Sequence, residues 1–184
     1  MHGIGPVSER RWVYATSKLA GEHLVLRTGE QHGIHATVLR PFNVYGPRQT
    51  GEGAISNFCS AAARGDALQV YGDGYAVRAW CYVSDMVEAV VLVLSTDTSA
   101  GHTFNIGNPH EIATTVGLAR RVAALAPGAR IEQREMARAE VYARIPKIEK
   151  AKKLLGFVPK VGLDEGLRNT IGWFKEQAQP CESQ

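Results

Sequence analysis

The chain has 184 residues, 45% of them hydrophobic, which is enough apolar content for one globular unit and excludes wholesale disorder. Its formal net charge of +3 is spread without a basic block, so neither nucleic acid nor an anionic lipid surface is implied as a partner. The longest apolar run, Ala89 to Leu94, is too short to span a bilayer, and Cys59, Cys81 and Cys181 lie far apart with no C-x-x-C and no clustered histidine, which points away from a disulfide framework or zinc site and toward a reducing cytoplasm.

In chain order, residues 12–31 read as a helix, and residues 35–42, HATVLRPF, are β-branched and apolar enough for a buried strand ending at Pro41. A Gly/Pro/Asn-rich loop follows. Residues 54–64 read as a helix, ALQVYGDG as a strand running into a turn at Gly72-Asp73-Gly74, and AWCYV as one short strand. Ser84-Asp85 then reads as the cap of a helix through Leu94. HTFNIGN is a further strand, residues 114–126 a helix closed by Pro127-Gly128, and ARIEQRE a strand. Two helices, 147–155 and 163–177, finish the chain around GFVPKVG, and the polar tail 179–184 is expected to fray. Strands alternating with helices predict an α/β architecture with parallel strands.

On the opening helix, Tyr14 and Lys18 are four residues apart and share a face. An ammonium close to a phenol favours the phenolate, drawing down a reference pKa of about 10, and a phenol so tuned can exchange a hydroxyl proton near neutrality. Taken alone, a Y-x-x-x-K spacing is more often a solvated surface pair than a site.

The surrounding motifs add to it. YATSK, LRPFNVYGPR, VYGDG with Arg78 shortly after, YVSDMVEAV and FNIGNP occur in an order and spacing that resembles the extended short-chain dehydrogenase/reductases, the NAD-dependent nucleotide-sugar epimerase/dehydratase family. The resemblance runs from about Arg11 to Phe174. GEGAI and RAWCYVSDM look most like UDP-glucose or UDP-glucuronate 4-epimerases, with dehydratases and UDP-glucuronate decarboxylases close behind. The family opens with a G-x-x-G-x-x-G turn that brings backbone against the dinucleotide pyrophosphate, and that turn occurs nowhere in this sequence. The resemblance therefore implies the C-terminal portion of a Rossmann-type fold over residues 1–178: the last parallel strands plus a small substrate-binding lobe. The polypeptide alone is expected neither to hold NAD nor to epimerise. In the complete enzyme the opening helix is expected to form a homodimer contact.

The resemblance gives Tyr14 the role of acid/base on the sugar hydroxyl, and Lys18 the roles of anchoring the nicotinamide ribose and tuning the phenol. Pro41 and Phe42 would meet the nicotinamide end and Asn43 the substrate diphosphate, the alternative being a plain strand terminus and turn. Arg48 either touches substrate or is solvated. Arg78 matches an arginine that forks onto the diphosphate of a UDP- or dTDP-sugar. Arg144 matches a second one, although Lys147 follows Pro146 where relatives place an aspartate, which removes a helix-capping carboxylate. Val70-Tyr71 matches a segment lying along the base, with Tyr71 as a core residue the open alternative. Asp85 reads as an N-cap rather than a catalytic carboxylate, and Trp80, Trp173 and Phe174 read as core. The implied reaction transfers hydride from sugar C4 to NAD while Tyr14 takes the hydroxyl proton, giving a 4-keto sugar that an epimerase reduces again and a dehydratase or decarboxylase first eliminates from. A non-catalytic nucleotide-sugar-binding role is the alternative from another class.

Overall fold

The computed structural model describes residues 5–6, 8–50, 53–135 and 141–178. The polar tail 179–184, Cys181 and the first two residues of GEGAI lie outside them. Helix α1 (Arg11–His32) ends at Gly33, whose φ of 64° suits glycine and lets its N–H reach the carbonyl of Gly29. The chain continues through β1 (Val38–Pro41), β2 (Val44–Tyr45), α2 (Ala54–Arg64), β3 (Leu68–Tyr71), β4 (Val77–Ala79), β5 (Cys81–Tyr82) and α3 (Val83–Leu94). A 3-10 turn at Asp97–Ser99 leads to β6 (Thr103–Ile106), β7 (Ile112–Thr114), α4 (Thr115–Leu125), β8 (Ile131–Arg134), β9 (Ala143–Arg144), α5 (Glu149–Leu155) and α6 (Leu163–Ala178).

Parallel pairing dominates, as the alternation of strands and helices implies. β1 runs beside β6 with Leu39 opposite Phe104, β2 beside β5, and β3 beside β8. β4 is the middle of a three-stranded sheet, antiparallel to β7 and parallel to β9. Among the described residues β1 and β6 pair only with each other. Among the described residues two apolar cores result. In one, Ile55, Phe58, Leu68, Val70, Leu118, Val122, Leu167 and Ile171 bring α2, α4 and α6 onto β3. In the other, Phe104 and Ile106 of β6 pack with Ala89 of α3 and with Ala151, Leu155 and Phe157 from the α5 region. Gly166 lets α6 close on the first core, since a β-carbon there would stand 2.1 Å from the Tyr45 hydroxyl.

Three expectations change. The strand expected to be buried at 35–42 is shorter, Val38–Pro41, because residues 34–37 are spent turning out of α1, and it is half-buried with Pro41 exposed. AWCYV is two strands: Trp80 N–H donates to Glu111 O at 2.9 Å and Cys81 N–H to Asn43 O at 3.2 Å, so the backbone changes sheets at Trp80. The indole is thereby set edge-on to Tyr45, ring centroids 6.4 Å apart. Ser84 and Asp85 do not cap α3, which starts after Tyr82 with no side-chain capping bond. Asp85 is buried, and its two oxygens accept from the backbone N–H groups of Lys160 (3.1 Å) and Val161 (3.2 Å). A short carboxylate that satisfies two loop donors at once outcompetes one local cap.

Candidate functional site

Arg78 on β4 and Arg144 on β9 are register partners across a parallel strand pair. Partners of this kind project to one face about 4.8 Å apart at the backbone, so two guanidinium groups share a wall. Both line a cavity of about 530 Å³, together with Asn43, Gln49, Trp80 and Thr115. Among the described residues lining it there is no carboxylate. Arg78 is buried, and its Nη1 donates to the carbonyls of Val77 (2.8 Å) and Tyr142 (3.5 Å). Arg144 is exposed. Forked donors match phosphate oxygens, so a wall carrying two guanidinium groups suits an anion.

Asn43 sits where the chain leaves β1 for β2, with a φ of 45° that is rare outside glycine and best tolerated by Asn and Asp. Its Nδ2 donates to Ala79 O at 2.7 Å, tying this turn to β4 and holding the strained backbone in place. Arg48, φ 65°, is exposed in the following loop and does not line the cavity. Gln49 and Trp80 were not legible as site residues, since Trp80 reads as core. Trp80 is buried in the first core and also walls the cavity, and its Nε1 and the Gln49 Oε1 are buried without a hydrogen-bond partner.

Tyr14 and Lys18 lie elsewhere, exposed on α1, with Lys18 Nζ over the phenol ring 5.6 Å from its centroid. The helix is tied to β1 by a forked ion pair in which Arg40 Nε and Nη2 donate to the two Glu22 oxygens at 2.7 and 2.5 Å. That hydrogen bond holds the Arg40 guanidinium above its ordinary pKa, against the opposing effect of burial. Pro41 ends β1, and Phe42 follows it with its N–H donating to Ile106 O at 2.8 Å. Tyr71 is not a core residue. Its neighbour Val70 is buried while Tyr71 is half exposed beside a different cavity of about 670 Å³, its hydroxyl donating to Gln69 Oε1 at 3.1 Å. The structure thus gathers Asn43, Arg78 and Arg144, and leaves Tyr14, Lys18, Pro41, Phe42, Arg48 and Tyr71 outside that cavity.

A family model for the NAD-dependent epimerase/dehydratase family matches residues 2–107. The chain belongs to that family. It is 40% identical over 167 residues to UDP-glucuronic acid decarboxylase 6 of Arabidopsis thaliana, covering 89% of this chain and 48% of the relative. Among solved structures it superposes on the UDP-glucose 4-epimerase of Thermotoga maritima with UDP-glucose at a TM-score of 0.82 and 32% identity, covering 90% of this chain and 54% of that one. It also superposes on the UDP-glucuronic acid 4-epimerase of Bacillus cereus, in complex with UDP-glucuronic acid and NAD, at 0.81 and 28%, covering 89% and 52%. The chain spans about half the length of the curated relatives it matches. The α/β framework is that of Rossmann-type extended short-chain dehydrogenase/reductases.

Fit to NAD can be tested on the residues themselves. Lys18 Nζ and the Tyr14 phenol share one exposed face of α1, a donor set of the kind ribose hydroxyls can pair with, whereas Gly107 is closed in by the chain itself, a β-carbon there standing 2.8 Å from Pro146 Cγ and 3.0 Å from Phe42 Cβ. No glycine fingerprint for the pyrophosphate end occurs in the 184 residues.

Proposed function

We propose that this chain supplies the substrate seat and the proton-transfer residues of an NAD-dependent nucleotide-sugar 4-epimerase acting through a 4-keto sugar. The observation that carries this reading is the Arg78–Arg144 register pair, which places two guanidinium groups on one wall of a cavity without a carboxylate among its described lining residues. Such a wall suits the diphosphate of a UDP- or dTDP-sugar, each arginine adding about 1.5–3 kcal/mol as a charge-assisted donor. Asn43, fixed to β4 through Ala79, turns the chain at the diphosphate's edge.

NAD, when bound, accepts and later returns the hydride of sugar C4. Lys18 and the Pro41–Phe42 strand end would hold its nicotinamide-ribose portion. Tyr14 takes the C4 hydroxyl proton as the ketone forms and gives it back when the ketone is reduced on its other face. A second reading is favoured by the 40% identity to a UDP-glucuronic acid decarboxylase: a sugar with a C5 carboxylate becomes a β-keto acid once C4 is oxidised, and loses carbon dioxide before reduction. α1 leaves Val13 and Leu24 exposed, about 20° apart around the helix, an apolar strip suited to contact with a second copy.

The test joins this chain to the dinucleotide-binding half of a relative and follows UDP-glucose and UDP-glucuronate by NMR. Tyr14→Phe removes only the titrating oxygen, so kcat falls by about 10²–10⁴ while nucleotide-sugar affinity stays within a few-fold. A variant retaining more than half of wild-type kcat contradicts the assignment. Galacto-configured product supports epimerisation, and a UDP-pentose supports the decarboxylase reading.

A further inference from the structure

Positions 14, 18 and 22 are successive i, i+4 neighbours, so Tyr14, Lys18 and Glu22 form one stripe along α1. Glu22 ends that stripe, and its carboxylate is gripped on both oxygens by Arg40, one residue before Pro41. The pair is half-buried, with side-chain exposures of 17% for Glu22 and 33% for Arg40. Farther along α1, Gly29 is buried so closely that a β-carbon would stand 2.8 Å from both Ala36 Cβ and Ile34 O. Toward the N-terminus, the described residues show no hydrogen bond or ion pair from residues 14–21 to another element. Within residues 14–22 the stripe that carries the phenol and ammonium is therefore tied to the sheet at the fork.

Resting on the reading of Tyr14 and Lys18 as the proton-transfer pair, we propose that Glu22 and Arg40 are positioning residues that fix the rotation of α1 and so aim that pair at the carboxyl end of β1. A helix with side chains has a radius of about 5–6 Å, so a 20° turn about its axis sweeps a side-chain tip by about 2 Å. Misplacement by about 1 Å is enough to cost ~10²-fold in a proton-transfer geometry. A forked guanidinium–carboxylate pair resists such rotation because both hydrogen bonds share one plane, which a single-point lysine contact does not supply.

The experiment uses the 184-residue chain. Hydrogen exchange is read by mass spectrometry for wild type, Glu22→Gln, Arg40→Lys and the reversed double variant Glu22→Arg/Arg40→Glu. Both single variants lose at least tenfold protection in peptides spanning residues 12–21, while peptides of α2 and α6 keep wild-type protection, and the double variant recovers to within about threefold. In parallel, the 3-fluorotyrosine resonance assigned by Tyr14→Phe moves toward that of a free peptide of residues 10–24 in each single variant and returns in the double. Unchanged protection and an unmoved resonance overturn the proposal. So does a loss shared equally by α2 and α6, which marks a general stabiliser. These readouts need no turnover, so an active Tyr14→Phe enzyme would sink the proton-transfer reading without altering the answer here.

Discussion

Replacing Arg144 by alanine has two effects of opposite sign. In the liganded protein it removes one charge-assisted contact to a phosphate oxygen, about 1.5–3 kcal/mol, so the Kd for UDP-glucose rises roughly ten- to 100-fold. In the free protein it removes a like-charge neighbour from the register position opposite Arg78. At a separation of about 6 Å and an effective dielectric near 20 that repulsion is about 3 kcal/mol, and salt reduces it well below 1 for an exposed group. The free variant is thus as stable as wild type or slightly more so, while binding more weakly. Arg78→Ala behaves differently, because its Nη1 also holds the carbonyls of Val77 and Tyr142. Binding weakens by a similar factor and stability falls by about 1–2 kcal/mol. Titration calorimetry with UDP, UDP-glucose and glucose, paired with urea melts, reads both. Equal affinity for UDP-glucose in wild type and Arg144→Ala, or an equal loss for glucose, would refute the diphosphate seat.

Burial pushes the Cys59 and Cys81 thiols from the ordinary 9.0 up to about 12. Raised folded-state values mean that stability is intact below pH 9 and is lost as pH climbs from 9 toward 12, by up to about 1.4 kcal/mol per thiol per pH unit. Urea midpoints at pH 8 and pH 10.5 should differ accordingly, and a Cys59→Ala/Cys81→Ala chain should show a flatter decline; an identical decline would assign the loss elsewhere. Gly166→Ala should cost about 1–3 kcal/mol or more, because its β-carbon would meet the Tyr45 hydroxyl at 2.1 Å and Tyr82 Cδ2 at 2.9 Å. A melt unchanged from wild type would show that α6 yields without cost.

Long elements with a clear period could be read from the chain. α2 spans the residues its apolar spacing implies, Ala54–Arg64, and β3, α4 and α6 lie within a residue or two of expectation. What escaped were β2, β7 and β9, two or three residues each, too short to carry an alternation and defined only by partners far away in sequence. The family resemblance named Asn43, Arg78 and Arg144 one by one, but the non-local geometry that joins them was not legible. Arg78 and Arg144 are 66 positions apart, and nothing in either neighbourhood announces that β4 and β9 set them side by side. Asp85 was misread because the helix start is local while its real partners, Lys160 and Val161, arrive from the loop before α6. Glu22 looks like any solvated helix charge until Arg40 appears beside it.

The central claim is that these residues hold the substrate's diphosphate and not the dinucleotide's. Parallel titrations of the purified 184-residue chain with UDP-glucose and with NAD, followed by calorimetry, test it most directly. The account predicts saturable UDP-glucose binding that weakens in Arg144→Ala, with no stoichiometric NAD binding, since no glycine-rich turn is available to cradle a pyrophosphate at a helix N-terminus. Stoichiometric NAD uptake by a monomer that ignores UDP-glucose would contradict it.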